Sequence, residues 1–207
     1  MKKLVIAIFL ISLSLFLTSC GPKIKVVNSW SDDSLSNYSI ESVLVVGVAR
    51  SDLTRKMLDD SFVEAFSEKN VRAIPGYQFI RLENHEFPDR KVVEKIIKNS
   101  GTKSVLITRV IDKETETNVS GGGVYSVYNP SPYTYSMYDY YGYSISYIPP
   151  TEVVDDILYM ESNLYDIANN KLLWSVQTKA VNPVKSKDEF KRFVKELMDD
   201  LYGVDKK

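Results

Sequence analysis

Residues 42–50 read SVLVVGVAR, a continuous run of apolar and β-branched residues. A run without polar alternation is typical of a strand that is buried on both faces. Such strands occur mostly in sheets that helices cover on both sides. The segment is therefore predicted to be a central strand, and the domain around it to be α/β.

Downstream of this strand, helical and strand patterns alternate. Residues 52–70 are predicted to form a helix that Asp52 caps and that Lys69-Asn70 ends. Apolar residues recur on one side of it at helical spacing: Leu53, Met57, Leu58, Phe62, Ala65 and Phe66. Residues 71–80 favour a second strand, and because Pro75-Gly76 interrupts it, this strand is expected at an edge or a bulge.

A second helix and a third strand complete the first half of the domain. Pro88-Asp89 favours a helix start, and Gly101 a helix end. The inward side chains of this helix are expected to be Val92, Val93, Ile96 and Ile97. Residues 104–112, SVLITRVID, are predicted to form the third strand.

The second half predicts a hairpin. Residues 151–166 and 172–181 favour two strands, joined by a turn in which Asn169-Asn170 can adopt positive φ. The second strand alternates, with Leu172, Trp174, Val176 and Ala180 on one face and Ser175, Gln177 and Lys179 on the other. This alternation predicts a half-exposed antiparallel pair.

The last helix carries the strongest signals. Ser186 and Glu189 have the spacing of a capping box, and Gly203 is expected to end the helix. Its apolar face consists of Phe190, Phe193, Val194, Leu197, Met198 and Leu201. The predicted order is β-α-β-α-β, then a β-hairpin and a helix, which gives an α/β (α+β) fold. Its mixed sheet is covered by helices and can be open on one side.

The chain begins with MKKLVIAIFLISLSLFLTSC, residues 1–20. Two lysines, an apolar run and a small-residue ending have the layout of a secretory signal. The ending resembles a bacterial lipobox, which implies that residues 1–19 are a signal peptide and that Cys20 receives a lipid anchor. A transmembrane anchor is the weaker alternative because a span needs about 20 apolar residues. A plain cleavage site beside a chance cysteine is the other alternative.

Residues 20–41 are predicted to be a lipidated tether, and residues 42–207 a single domain. Pro, Ser, Asn and Asp dominate this tether, which favours an extended linker. Trp30 is the exception within it, because an indole is large to leave in water. We expect Trp30 either to dock on the domain or to mark the start of an edge strand.

Composition excludes several kinds of chemistry. The 207 residues carry a formal net charge of −1, so no basic excess points to nucleic acid. Cys20 is the only cysteine. Its acylation would leave no thiol for a disulfide, a redox pair, a thiolate zinc site or a nucleophile. No cofactor is predicted.

Three features of the sequence could suggest a site: the histidine, a run of glycines and the aspartate pairs. Each has a simpler explanation. The only histidine, His85, lies in a polar linker before a helix cap, which favours a loop over a metal site or a His-carboxylate dyad. Gly121-Gly122-Gly123 lacks the following Lys-Ser or Lys-Thr of a phosphate loop. The pairs Asp155-Asp156 and Asp199-Asp200 are expected to be solvated and not to bind a cation.

Residues 118–151 form an insert of unusual composition, rich in Tyr, Ser, Gly and Pro. It contains nine of the fourteen tyrosines: Tyr125, Tyr128, Tyr133, Tyr135, Tyr138, Tyr140, Tyr141, Tyr143 and Tyr147. This composition favours either a disordered loop or a binding surface. Tyrosine suits a binding surface because it offers a large, stiff contact area. We expect that residues 124–148 can be deleted without unfolding the domain, while binding is lost.

Several short segments together resemble a group of small bacterial lipoproteins. They are the lipobox, Asn28-Ser29-Trp30, Val45-Val46-Gly47-Val48, Ala73-Ile74-Pro75-Gly76-Tyr77 and Lys171-Leu172-Leu173-Trp174-Ser175. The layout is similar to the α/β domains of the curli-secretion lipoprotein, the penicillin-binding-protein activator lipoproteins and the N-terminal part of TolB. That resemblance implies no catalytic residues.

The sequence thus predicts a non-enzymatic, periplasm-facing envelope lipoprotein that binds or scaffolds another envelope component. Gly21, where Asp would favour inner-membrane retention, implies sorting to the outer membrane. Cys20 is the predicted lipidation site; Trp30 and the nine tyrosines of the insert are the predicted partner-binding residues. Protein, glycan and lipid headgroup are the candidate partners. A periplasmic hydrolase and a self-associating structural subunit are the alternatives.

Overall fold

The computed structural model of the protein describes residues 23–81, 88–115, 137, 156–181 and 186–203. The strands in these ranges are β1 (Lys23–Ser31), β2 (Ser42–Val48), β3 (Arg72–Pro75), β4 (Ser104–Thr115), β5 (Asp156–Asp166) and β6 (Lys171–Val181). The α-helices are α1 (Asp52–Glu68), α2 (Arg90–Asn99) and α3 (Lys187–Leu201). None of these helices has the length and apolar composition needed to cross a bilayer.

The strands form one mixed sheet in the order β1-β6-β5-β4-β2-β3. β2 runs parallel to β3 and β4, whereas β4, β5, β6 and β1 pair antiparallel in turn. All seven residues of β2 are buried, as predicted, but β2 lies only one strand from the edge. β3 is that edge strand, which confirms the expectation from Pro75-Gly76.

Helices α1 and α3 cover the first face of the sheet. The six predicted apolar residues of α3 are all buried, and Ser186 and Glu189 form the predicted capping box. They share a core cluster with Phe62 and Phe66 of α1 and with Trp174 of β6. The indole N–H of Trp174 donates to Asp200 Oδ2 at 2.9 Å, so α3 is also tied to the sheet by a polar contact.

The predicted details of α1 and α2 need correction. Ser51, not Asp52, caps α1, since its Oγ accepts from the Thr54 N–H. Leu53 is 65% exposed because it lies on the solvent side of the first turn, and Val92 of α2 is exposed as well. In α1 the buried face includes two charged residues that helical periodicity did not indicate, Arg55 and Asp59.

The prediction of a tether over residues 20–41 is wrong for most of its length. Residues 23–31 form β1, which pairs antiparallel with β6, and the 3-10 helix Asp33–Asn37 buries Leu35. An edge strand bonds through its backbone, so a polar composition does not prevent pairing. The domain therefore begins at Lys23 and not at residue 42.

The hairpin forms with a turn at residues 167–170, where Asn170 has φ 51° as expected. A bulge at Leu173 changes the predicted alternation, because Tyr165 pairs with Leu172 whereas Leu164 pairs with Trp174. Leu172 therefore packs on the second face of the sheet, opposite to Trp174. Residues 151–155 of the predicted first strand lie outside the described residues.

The second face is covered by α2 and by one described residue of the insert, Met137. Met137 is fully buried and belongs to a core cluster with Val93, Ile97 and Tyr165. Its backbone N–H donates to Asn170 Oδ1 at 2.9 Å, at the β5–β6 turn. β4 ends at Thr115, which pairs with Asp156 at the end of the sheet opposite to the β5–β6 turn. At least one residue of the segment 124–148 thus packs in the core, which argues against deletion of the segment without loss of stability.

We expect Met137→Ala to lower the free energy of unfolding by about 2–5 kcal/mol, because it removes a buried side chain from a packed cluster. Val92→Ala is the control, since Val92 is 45% exposed on the same side of the sheet. Urea unfolding of both variants measures the difference. Equal midpoints for the two variants would contradict the burial of Met137. They would support the original expectation that residues 124–148 can be deleted without unfolding the domain.

Candidate functional site

Polar side chains form cross-strand rows on the second face of β4, β5, β6 and β1. In register across these strands lie Arg109, Glu161, Gln177 and Asn28. We call these four residues the polar row. The neighbouring row on the same face consists of Ile107, Asn163, Ser175 and Trp30. Residues two apart in a strand share a face, so the rows lie side by side.

Glu161 is the centre of the polar row. It is 1% exposed, and its Oε1 lies 3.5 Å from Nη2 of Arg109, which is also buried. Gln177 Nε2 donates to Oε2 at 2.9 Å, and Asn163 Nδ2 reaches Oε1 at 3.4 Å. Each carboxylate oxygen thus has a donor, which is the condition for burying a charge at acceptable cost.

Asn163 links the two rows. Its Nδ2 also lies 3.3 Å from the Tyr165 hydroxyl, and burial raises the pKa of Tyr165 well above its usual value. Its Oδ1 is buried and has no hydrogen-bond partner in the part of the chain that the structure describes. A buried amide oxygen without a donor is unusual and costs stability.

The hydrogen bonds of Glu161 do not favour a role in proton transfer. A general base needs an oxygen that can reach a substrate proton, whereas both oxygens of Glu161 already accept hydrogen bonds. The bonds hold the side chains in fixed positions on a rigid sheet. Because Arg109, Glu161 and Asn163 are at most 3% exposed, these bonds stabilise the interior of the sheet and do not present a surface to a partner.

Trp30 is the only predicted partner-binding residue among the described residues. It is partly buried and so docks on the domain. It lies near the end of the edge strand β1, in register with Ser175, and not at the start of the strand. The predicted lipidation site and the predicted tyrosines lie outside the described residues: Cys20, Tyr125, Tyr128, Tyr133, Tyr135, Tyr138, Tyr140, Tyr141, Tyr143 and Tyr147.

The other polar groups considered from the sequence give no site among the residues that the structure describes. His85, Gly121-Gly122-Gly123 and Asp155 lie outside the described residues. Asp199 pairs with Lys195 at 2.7 Å, and Asp200 accepts from Ser29 and Trp174. Within the described ranges no group of three or more His, Cys, Asp or Glu could hold a metal ion.

A second buried carboxylate, Asp59, lies at the carboxyl end of β2. Its Oδ1 accepts the Gly47 N–H at 2.8 Å, and its Oδ2 accepts the Tyr77 N–H at 3.0 Å. Burial raises the pKa of Asp59 to about 7, although both N–H bonds and the nearby Arg55 lower it. A pKa near 7 would suit acid-base chemistry, but both oxygens are used to tie α1 to β2 and to the turn at Gly76.

The shifted pKa of Asp59 predicts a pH dependence of stability. The folded state binds a proton up to about pH 7, while the unfolded carboxyl loses it near its ordinary value of 3.8. This contribution to stability is therefore complete below pH 3.8 and is lost as the pH rises through 7. Asp59→Asn is expected to remove the fall in unfolding free energy between pH 4 and 7. An unchanged pH profile in this variant would show that another group causes it.

Sequence reasoning missed the polar row, although the sequence contains a signal for it. Arg109 is the only charged residue of the run 104–111, and Glu161 and Asn163 lie within a predicted strand. A charge inside a buried strand requires a partner of opposite charge. Only the register of β4 and β5 shows that Arg109 and Glu161 are directly opposite each other.

No family model matches the chain, and no curated protein matches it. Among solved structures, it is similar to the PelC dodecamer from Paraburkholderia phytofirmans, with 9% identity, a TM-score of 0.40 and coverage of 87% of this chain and 97% of that chain. Lipoprotein GNA1162 from Neisseria meningitidis matches with 16% identity, a TM-score of 0.38 and coverage of 79% and 99%. A PDZ domain protein from Parabacteroides distasonis matches with 10% identity and a TM-score of 0.42, over 93% of this chain and 39% of that chain. Likenesses this weak carry no argument about function.

Proposed function

We propose that the protein is a non-enzymatic envelope lipoprotein. In this proposal Cys20 carries the lipid, the domain faces the periplasm at the outer membrane, and the domain binds or scaffolds another envelope component. The observation that carries the proposal is the position of β1, which begins three residues after Cys20 and forms an edge of the sheet.

The second half of β1, residues 28–31, is the proposed binding edge. Within the described part of the chain β1 pairs only with β6, so its outer backbone groups face away from the sheet. An edge strand of this kind can accept an added strand from a partner protein, which bonds to it through the main chain. Trp30 lies in this half and offers a large amphipathic contact at its side. Main-chain pairing favours a protein over a glycan as the partner.

Among the described residues, the two carboxylates that are at most 1% exposed are consistent with a non-enzymatic role. Glu161 and Asp59 have both oxygens engaged by donors of the protein itself. These bonds stabilise the sheet and its connection to α1. A periplasmic hydrolase would need one of them, or another group, to be available to substrate and water.

Replacing Cys20 with Ala tests the anchor. The variant is expected to accumulate as uncleaved precursor and to lose all incorporation of labelled fatty acid, because the thiol is the acceptor of the lipid. The parent chain, labelled in the same cells, is the control. Undiminished lipid labelling of the variant would contradict the proposal that Cys20 is the anchor.

Affinity capture from crosslinked envelopes tests the binding role. We expect the parent chain to capture a specific envelope protein, and Trp30→Ala to capture several-fold less of it while its melting temperature stays well above the temperature of the capture. Ala168→Ser, at the exposed β5–β6 turn, is the control. Capture of further copies of this chain alone would favour a self-associating subunit, and equal capture by all three chains would exclude Trp30 from the interface.

A further inference from the structure

The start of β1 lies very close to the proposed lipid. Only Gly21 and Pro22 separate Cys20 from Lys23, the first residue of β1. Three residue steps span at most about 10 Å even when fully extended. A lipid on Cys20 would therefore hold this end of the sheet against the bilayer, where the sequence alone had suggested a long tether.

The same end of the sheet exposes apolar side chains. Of the six large exposed hydrophobic residues among those described, three lie in β1 or at the end of β6: Val26, Val27 and Val181, which are 39%, 57% and 40% exposed. Val181 pairs with Lys23. Exposed valines near an anchor point fit the interfacial region of a bilayer better than bulk water.

Two lysines at this end are placed unfavourably for a protein in water. Lys25 and Lys179 are directly opposite each other on β1 and β6. Like charges in such a pair repel each other, and neither lysine has an acidic partner among the described residues. Lys179 Nζ lies 5.6 Å from the ring of Tyr159, whose hydroxyl donates to Glu114 at 3.4 Å.

From these features we infer that the end of the sheet formed by Lys25, Val26, Val27, Lys179 and Val181 rests on the membrane surface and binds anionic phospholipid headgroups. This inference rests on the proposed lipidation of Cys20. A phosphate between Lys25 and Lys179 removes their repulsion, and Val181, which lies on the same face as the two lysines, contacts the lipid beside it. The bulge between Val26 and Asn28 separates this end from the half of β1 that contains Trp30.

Depth-dependent quenching tests the contact. The full chain, purified with its lipid, is reconstituted in phosphatidylethanolamine–phosphatidylglycerol vesicles that contain a spin-labelled lipid. Val27→Cys is labelled with an environment-sensitive fluorophore, and Ala168→Cys is the control. Ala168 is exposed at the other end of the hairpin, roughly 30 Å away at about 3.3 Å per strand residue. Cys20 is the only native cysteine, so its acylation leaves each added thiol as the single labelling site.

We expect the label at position 27 to be quenched several-fold more than the label at position 168. Combining Lys25→Glu and Lys179→Glu with Val27→Cys should remove most of the additional quenching at position 27. Equal quenching at both positions in chains that float with the vesicles would overturn the inference and leave the anchor intact. Persistence of the full excess in the charge variant would overturn the headgroup contact. A parent chain that takes up the label at Cys20 would contradict the lipidation, and the inference with it.

Discussion

Replacing Glu161 with Ala is expected to lower the free energy of unfolding by about 3–5 kcal/mol, more than a typical point mutation. The substitution removes the carboxylate that Arg109 faces across β4 and β5. Both side chains are almost fully buried, so the guanidinium would keep its charge in the interior without this counter-charge. Gln177 would lose its acceptor as well. Urea unfolding at neutral pH measures the loss.

A double variant distinguishes the cost of a buried charge that has lost its counter-charge from the loss of packing. Arg109→Met combined with Glu161→Leu removes both charges and keeps similar volume, and buried ion pairs replaced in this way are often neutral or stabilising. We therefore expect the double variant to be clearly more stable than Glu161→Ala. If the double variant is less stable than Glu161→Ala, the attraction between Arg109 and Glu161 itself stabilises the sheet, beyond the mutual cancellation of their charges.

Truncation of α3 is expected to have the second large effect. Phe193 and Leu197 are buried against α1 and the first face of the sheet, so replacing either with Ala should cost about 2–5 kcal/mol. Lys195→Ala is the matched control on the same helix, because the Lys195–Asp199 pair is exposed and such pairs contribute little. Chemical unfolding compares the three variants. Similar midpoints for Phe193→Ala and Lys195→Ala would show that α3 is not docked.

The parts of the fold that depend on local patterns were predictable from the sequence. The apolar run of β2, the capping box and the apolar face of α3, and the asparagine turn of the hairpin all act over a few residues. Local propensity and tertiary packing agree there, so the sequence pattern and the structure agree as well. The edge position of β3 followed from Pro75-Gly76 for the same reason.

The edge strand β1 could not be predicted in this way. Residues 23–31 carry polar residues because β1 pairs along one edge only among the described strands and most of its side chains are exposed. Their pairing partner, β6, lies about 150 residues further along the chain, and backbone pairing leaves no mark in composition. Met137 was missed for a related reason, since a single apolar residue among tyrosines and serines has no periodicity.

The polar row illustrates the same limit for the site. Arg109 and Glu161 are 52 residues apart, and a shift of one residue in the register of β4 and β5 would place them on opposite faces. Sequence reasoning could identify each as a charge in a strand but could not pair them. Trp30 was predicted correctly to dock on the domain, because the size of its indole requires cover from water, but it lies near the end of its edge strand and does not mark the start.

Site-specific photo-crosslinking in living cells tests most directly the claim that the protein binds an envelope component through the second half of β1. A photoreactive residue replaces Asn28, which is exposed in that half of β1, or Ala168, which is exposed at the β5–β6 turn. We predict that position 28 crosslinks to one envelope protein and that position 168 does not. Crosslinking to the same proteins in equal amounts at both positions, or at neither, would contradict the account.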